Sequence, residues 1–279
     1  MEPPSPFCPR RQVREDLAKQ AIPETPSRRC VYWSSYLFWP PASFILCPAP
    51  PMFERNACRR AAYALFRDQL PALETTEGLL NCAIAISLHE LGDVDISETY
   101  ADLDVLADEV RWRLHSDNRD ATVAHLHEVL FEENGFGGNT DAYYSASNSY
   151  IPLVLETRRG IPISLTLIYK VVAEKLGLFV EGLNSPGHFL ARVDGAGEPM
   201  IVDPYFGGKL LSRDEAFARI EQMTGTTVPR DVSYLLPATH HQWIARMLNN
   251  LQCVFAAEGR QQDLAAMTEL QGLLANSLF

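Results

Sequence analysis

The chain has 279 residues, of which 47% are hydrophobic, and its 24 Lys and Arg against 35 Asp and Glu give a formal net charge of -11. This length and composition are typical of a globular protein with one large domain or two small ones. An acidic chain without a basic patch does not capture a polyanion electrostatically, so nucleic acid is excluded as the expected ligand.

Residues 1–51 form a compositionally distinct segment. They contain about half of the 19 prolines, and their apolar run VYWSSYLFWPPASFILC is interrupted by Pro40 and Pro41. That run is too short to cross a bilayer, and the stretch before it, which contains acids and prolines, does not fit a signal peptide. We therefore expect a disordered extension, or a start codon assigned too early, in a protein without a membrane segment.

The six cysteines show neither CxxC spacing nor the pattern of a metal site. Cys82 and Cys253 lie in the apolar stretches LLNCAIAIS and NLQCVFA, a setting typical of buried free thiols. This usage predicts a reducing compartment, and hence a cytoplasmic protein without disulfides, metal or another cofactor.

Residues 52–135 are predicted to be helical. Apolar residues recur at spacings of three and four in LLNCAIAISLHEL, TYADLDVLADEVRWRL and TVAHLHEVLFEE, which is the pattern of amphipathic helices. The glycines of NGFGGNTDAYY then interrupt the pattern, and a further helix is expected from about Asn148 to Arg158.

Residues 136–235 are predicted to combine helices with a small sheet. Gly160 should end the preceding helix, and Pro162 should open the next one. Proline lacks a backbone N–H, and this costs nothing in the first helical turn because N–H groups there have no partner within the helix. The short runs LFVEGL, HFLARV and MIVDPY predict three strands of a mainly antiparallel sheet, and SRDEAFARIEQM predicts a helix. Residues 236–279 predict two helices broken at Glu258 and Gly259, an αα-hairpin, so the fold class is α+β.

A hairpin around the loop DGAG brings two chemically useful side chains together. A four-residue loop over Asp194 to Gly197 places His188 opposite Asp203, and Leu190 opposite Ile201, with Cβ atoms of opposed residues roughly 4.5–5.5 Å apart. A carboxylate that holds one ring nitrogen fixes the histidine tautomer and leaves the other nitrogen as a base.

Ser164 is the candidate third member of this constellation. It lies in the first turn of the helix that begins at Pro162, and that helix must point its N-terminus at the hairpin for the three side chains to meet. In that arrangement the Ser164 N–H and the Asn148 amide would form an oxyanion hole.

Each of these residues also has a structural interpretation. A serine in a first helical turn is a common capping residue, and a strand histidine paired with an aspartate is often a satisfied structural pair. The dipeptide Asp203-Pro204 is also a turn signal. A serine, unlike a cysteine, gains little from a helix N-terminus, because only a well-placed general base activates its hydroxyl.

Other polar and aromatic side chains are expected to be structural. His125 and His127 are two apart on a helix, so they face different directions and are expected at the surface rather than on a metal. His240 and His241 are expected to cap a late helix or to be exposed. A core position is expected for the aromatic residues Phe131, Tyr143, Tyr144 and Tyr150.

The motifs RRGIPISL, PGHFL and DPYFGG resemble those of the SirB-type transglutaminase-like family. The resemblance runs from about Met52 to the C-terminus and is densest from Phe136 to Ala216. It implies a papain-like α+β core shared with transglutaminases and related peptidases, with tetratricopeptide-like helices at the C-terminal end. Gly160, Pro162, Gly187 and Pro204 are expected to be structural residues of these motifs.

By motif, Ser164 falls at the position of the nucleophilic cysteine, and His188 and Asp203 fall at those of the catalytic histidine and aspartate. The serine removes the thiol chemistry of the wider superfamily. Two functions follow: a peptide- or protein-binding module with a degenerate site, or a serine-dependent amide hydrolase or acyltransferase that uses Ser164, His188 and Asp203. In the first, the terminal helices offer a second contact surface around Trp243 or Leu273.

Overall fold

The structure, a computed structural model, describes residues 57–92, 94–116, 118–194 and 198–277. The expectation for residues 1–51 lies outside the described residues. Within them the protein combines helices with two small sheets, in agreement with the α+β prediction. The helices are α1 (Arg60–Gln69), α2 (Thr76–Leu91), α3 (Ile96–Arg111), α4 (Arg119–His127), α5 (Ile151–Thr157), α6 (Pro162–Lys175), α7 (Arg213–Thr224), α8 (His240–Glu258) and α9 (Gln261–Asn276).

The helices of the first half start at side-chain caps that the sequence supplies. Thr75 accepts a hydrogen bond from the Gly78 N–H at the start of α2, and Asp95 and Asn118 cap α3 and α4 in the same way. Such caps bond N–H groups that the first helical turn leaves without intrahelical partners. A π-helix, Glu128–Glu133, continues α4.

The described residues form six short strands. Four of them form the antiparallel sheet, for which three were predicted, and the other two come from glycine-containing segments and form a separate sheet. The strands are β1 (Gly137–Gly138), β2 (Arg159–Gly160), β3 (Phe179–Leu183), β4 (Leu190–Asp194), β5 (Met200–Asp203) and β6 (Lys209–Leu211). Strands β1 and β2 pair in parallel, and the second sheet is antiparallel in the order β3-β4-β5-β6.

The predicted register of the β4–β5 hairpin was wrong by two residues. The structure pairs Arg192 with Ile201 and Val193 with Met200, because β4 extends to Asp194 and the midpoint between the paired residues lies one residue later than predicted. Side chains of a strand alternate between faces with a period of two. A shift of two therefore keeps His188 on the same face as Asp203, but diagonal to it and before the first residue of β4.

The helix expected to end near Arg158 does so, but Gly160 is not the residue that ends it. Helix α5 ends at Thr157, and Arg158 takes the left-handed conformation with φ 60°. Gly160 lies in β2 instead, where a Cβ would stand 3.0 Å from a Val154 methyl group. The start of the next helix at Pro162 agrees with the prediction.

The last two helices, α8 and α9, contact each other and add apolar side chains to the main core. Trp243 in α8 is completely buried and Leu273 in α9 is half-buried. Trp243 therefore offers no exposed contact surface, which corrects that expectation. Nδ1 of His240 donates a hydrogen bond to the Leu73 carbonyl, 2.7 Å away, and the residue that caps α8 is Thr239.

Three further placements differ from the sequence expectations. His127 packs against the Phe131 and Tyr169 rings, and its Nε2 lies 3.0 Å from the Tyr169 hydroxyl, so it is not a surface residue. Tyr144 is 75% exposed rather than in the core. Cys82 is buried as expected, whereas Cys253 is exposed because it lies on the outer side of α8.

Within the described residues, none of the helices has the length and apolar character needed to cross a membrane. The same part of the chain contains no cluster of three or more His, Cys, Asp or Glu side chains that could hold a metal ion.

Candidate functional site

Ser164 is the third residue of α6, at a helix start that side chains leave uncapped. Ile161, which precedes the helix, is extended and donates its N–H to the Asn148 carbonyl, 3.3 Å away. Ser164 itself is fully buried, and its Oγ has no hydrogen-bond partner among the described residues. The side chain thus does not fold back to cap its own helix.

His188 and Asp203 form a completely buried pair. Nε2 of His188 lies 3.0 Å from Oδ1 of Asp203. Asp203 ends β5, and His188 follows Gly187, whose φ of 66° lets the chain turn between β3 and β4. The other ring nitrogen of His188, Nδ1, has no partner in the described part of the chain.

The start of α6 is anchored to the segment that carries His188. The Thr166 hydroxyl donates to the Pro162 carbonyl at 2.8 Å and lies 3.4 Å from the carbonyl of Phe189, the residue after His188. Helix α6 also packs against β4 and the 3₁₀ turn that follows Asp203. Even so, Ser164 Oγ and His188 Nδ1 do not form a hydrogen bond with each other.

Arg219 forms an ion pair with Asp203 through the carboxylate oxygen that is not hydrogen-bonded to His188. The sequence analysis did not predict this residue. Its Nε lies 3.0 Å from Oδ2 of Asp203, and its guanidinium carbon lies 3.7 Å from the centre of the Phe206 ring. The sequence around it, SRDEAFARIEQM, reads as an ordinary amphipathic helix. No local signal distinguishes Arg219, because only the packing of α7 against the β5–β6 turn brings it to Asp203.

Asn148 does not have the free amide hydrogens that an oxyanion donor needs. Its Nδ2 donates to the carbonyls of Ala142 and Tyr143 at 2.6 and 3.1 Å, and its Oδ1 accepts from the Asn139 amide at 2.9 Å. The side chain holds the loop between β1 and α5, while its backbone carbonyl holds Ile161. The predicted contribution of the Asn148 amide to an oxyanion hole therefore does not fit this geometry.

Aromatic rings lie between His188 and the exposed Tyr144. The rings of His188 and Tyr205 are 6.0 Å apart, those of Tyr205 and Tyr143 are 6.0 Å apart, and those of Tyr143 and Tyr144 are 5.2 Å apart. Burial raises the pKa of Tyr143 to about 12, and burial together with the Asp203 charge raises the pKa of Tyr205. Both side chains are therefore neutral phenols at physiological pH.

Two glycines let aromatic rings approach the Asp203 segment closely. A Cβ on Gly138 would lie 2.3 Å from the Tyr205 ring, and a Cβ on Gly208 would lie 2.1 Å from the Phe131 ring. Tyr205 belongs to the 3₁₀ turn Pro204–Phe206, which starts at Asp203. The glycines of GFGG and PYFGG thus help to hold Asp203 in place.

Chemically, the arrangement contains an oriented imidazole beside a buried carboxylate, and a hydroxyl that is not bonded to it. A histidine of this kind can accept a proton at its open nitrogen. A serine becomes a nucleophile only when such a base contacts its hydroxyl. The oriented base is therefore formed in this structure, and its hydrogen bond to the candidate nucleophile is not.

Comparisons with known proteins agree with this fold. The family model of the transglutaminase-like superfamily matches residues 97–249, more than half of the chain. A UPF0162 protein of Xylella fastidiosa (strain 9a5c) is 34% identical over 195 residues, which cover 67% of this chain and 68% of that protein. A UPF0162 protein of Vibrio cholerae is 26% identical over 73% of this chain and 74% of its own length.

A eukaryotic protein shares part of the same region. F-box only protein 21 of Mus musculus is 33% identical over 146 residues, which are 50% of this chain but 22% of that protein. No solved structure matches the chain significantly. The family match spans α3 to α8, including Ser164, His188, Asp203 and Arg219, and the chain therefore belongs to the transglutaminase-like superfamily.

Proposed function

We propose that this protein is a transglutaminase-like module that binds a peptide or protein segment, with a degenerate site in which Ser164 replaces the nucleophilic cysteine. Within the superfamily we assign it to the SirB-type branch, with α8 and α9 as a short tetratricopeptide-like pair. The observation that carries the proposal is that the buried Oγ of Ser164 forms no hydrogen bond with His188, although His188 and Asp203 are paired.

The chemistry of serine supports this proposal. A thiol becomes a thiolate near a helix N-terminus and then needs little further help. A hydroxyl remains protonated there, so the helix does not replace the missing contact with His188. The motif around Ser164 therefore keeps the architecture of the superfamily without its usual nucleophile.

The exposed Tyr144 supports a binding role near the site. It continues the row of rings that leads from His188 through Tyr205 and Tyr143. Tyrosine is enriched in the residues that dominate binding energies, because it buries a large apolar ring and keeps a polar hydroxyl. The related stretch in F-box only protein 21 is a small part of a longer protein, which fits use of this fold as a module.

The alternative function is serine-dependent amide hydrolysis or acyl transfer by Ser164, His188 and Asp203. The open Nδ1 of His188 favours it, since a rotation of the Ser164 side chain would be a step towards a nucleophile–base contact. Catalytic hydrogen bonds are often loose before substrate binds. The two functions differ in whether Ser164 is required.

The first part of the test measures covalent reactivity. The full-length protein and its Ser164→Ala variant are incubated with fluorophosphonate and β-lactone probes, and adducts are located by mass spectrometry. We expect no adduct at Ser164. Stoichiometric labelling of Ser164, lost in the alanine variant, would establish the hydrolase alternative instead.

The second part measures binding. Peptides selected from a displayed library on the full-length protein are titrated by fluorescence polarisation against the wild type, Ser164→Ala and Tyr144→Ala. We expect the Kd of Ser164→Ala to lie within about twofold of the wild-type value. The Kd of Tyr144→Ala should be about tenfold higher, which is the effect of losing a moderate hot-spot residue. Phe179→Ala is the matched control, because Phe179 is 57% exposed but lies at the opposite end of the β3–β4 hairpin from His188. Equal affinities for all variants, or failure to select any peptide, would refute the proposal.

A further inference from the structure

The carboxylate of Asp203 is shared between two basic side chains. Oδ1 is hydrogen-bonded to Nε2 of His188 at 3.0 Å, and Oδ2 forms an ion pair with Nε of Arg219 at 3.0 Å without the geometry of a hydrogen bond. The Arg219 side chain is only 13% exposed, and its guanidinium carbon lies 3.7 Å from the centre of the Phe206 ring. The Phe206 N–H, 3.4 Å from Oδ1, adds a third contact to the carboxylate.

The charges of this cluster decide the protonation of His188. With a neutral imidazole, Asp203 and Arg219 cancel and the buried cluster has no net charge. With an imidazolium, the same cluster carries one uncompensated positive charge in a site where His188 and Asp203 are fully buried. Burying a net charge is costly unless another group compensates it, and the other titratable neighbour, Tyr205, stays a neutral phenol.

The neutral form also fixes which ring nitrogen carries the proton. A carboxylate accepts hydrogen bonds and cannot donate them, so the nitrogen that faces Asp203 must carry the hydrogen. That nitrogen is Nε2. Nδ1 then has a lone pair and no hydrogen, and it is buried without a partner.

We propose that Arg219 is a positioning residue that neutralises Asp203 and so keeps His188 neutral, with its proton on Nε2 and Nδ1 as a hydrogen-bond acceptor. Because Nδ1 is fully buried, a ligand reaches it only when the side chains around it move. A ligand group that then contacts Nδ1 must donate a hydrogen, as a peptide N–H does, and a carboxylate is disfavoured. Only this ligand preference rests on the proposed binding function. The protonation state of His188 is independent of it.

The test reads the protonation of His188 directly by nitrogen NMR. The full-length protein is labelled with ¹⁵N-histidine, and the His188 signals are assigned by their absence in His188→Gln. At pH 7 we expect one protonated nitrogen and one unprotonated nitrogen in the wild type, with the proton on Nε2. An imidazolium, or a proton on Nδ1, in the folded wild type would overturn the proposal without any variant.

Arg219→Met then removes the compensating charge while keeping an apolar chain over Phe206. We expect the ratio of imidazolium to imidazole at His188 to rise about tenfold or more, the usual effect of exposing a histidine to an uncompensated carboxylate. Arg219→Lys, which retains the charge, should restore the wild-type signals. If Arg219→Met does not fold, Arg219→Gln provides the same removal of charge with a polar chain.

Arg230→Met is the matched control. Arg230 also pairs with a carboxylate, Glu221, and lies over a phenylalanine, Phe217, but it does not contact Asp203. Its loss should leave the His188 signals unchanged. Unchanged His188 signals in a folded Arg219→Met or Arg219→Gln protein would overturn the proposal, even if peptide binding is confirmed.

Discussion

Replacing Asp203 with asparagine tests how strongly the buried pair stabilises the fold. The amide has the same size as the carboxylate, and its oxygen can still accept a hydrogen from His188. Its nitrogen then replaces the charged oxygen that forms the ion pair with Nε of Arg219 at 3.0 Å in the wild type. The guanidinium loses its compensating charge in a site where it is largely buried.

The magnitude follows from the burial of the two partners. Removing one partner of a buried ion pair costs about 3–5 kcal/mol of the free energy of unfolding. Asp203 is fully buried, but Arg219 keeps 13% of its side chain exposed and thus some hydration, so we expect about 3 kcal/mol, near the lower limit. In a protein of this size, each kcal/mol shifts Tm by about 2–4 °C, which gives a decrease of about 6–12 °C.

Asp194→Asn is the control for loss of a carboxylate on the same sheet. Asp194 also pairs with an arginine, Arg192 at 3.0 Å, but the two side chains are 29% and 31% exposed. Exposed pairs of this kind contribute about 0–1 kcal/mol. Differential scanning calorimetry and urea unfolding should therefore separate the two variants clearly. Similar, small shifts for Asp203→Asn and Asp194→Asn would refute the reasoning that Asp203 is held by a buried charge pair.

Two further predictions concern packing and pH. Gly138→Ala places a methyl group 2.3 Å from the Tyr205 ring and should destabilise the protein by about 1–3 kcal/mol. Gly272→Ala in α9, where a Cβ would have no atom within 4 Å, should instead stabilise it by about 0.5–1 kcal/mol. Urea unfolding that gives both variants the same change in stability would contradict this prediction. Burial lowers the pKa of His127 to about 4, so the unfolded chain takes up the proton first and stability should fall as pH drops from about 6.5 towards 4, by roughly 2 kcal/mol at pH 5. Thermal unfolding should show a flatter pH profile for His127→Gln and an unchanged one for His125→Gln, and parallel profiles for wild type and His127→Gln would rule out this contribution.

Local sequence features predicted the helical first half, the start of α6 at Pro162 and three of the strands of the antiparallel sheet. These features depend on neighbouring residues: apolar spacing, a proline that tolerates the first helical turn, and β-branched runs. The predictions that failed depended on less local information. The hairpin register depended on where the turn is centred. The helix expected up to Arg158 does end there, at Thr157, but the left-handed residue that ends it is Arg158 and not Gly160.

Sequence spacing alone was enough to predict which side chains share one face of the hairpin, because residue spacing in a strand has a period of two. His188 therefore meets Asp203 even though the register was wrong by two. Only the tertiary structure decided what surrounds that pair. Arg219 reaches Asp203 from a helix that is ordinary in sequence, and Trp243 is buried. Ser164 Oγ forms no hydrogen bond with His188. These three placements depend on how the helices pack on the sheet, and no local sequence pattern encodes them.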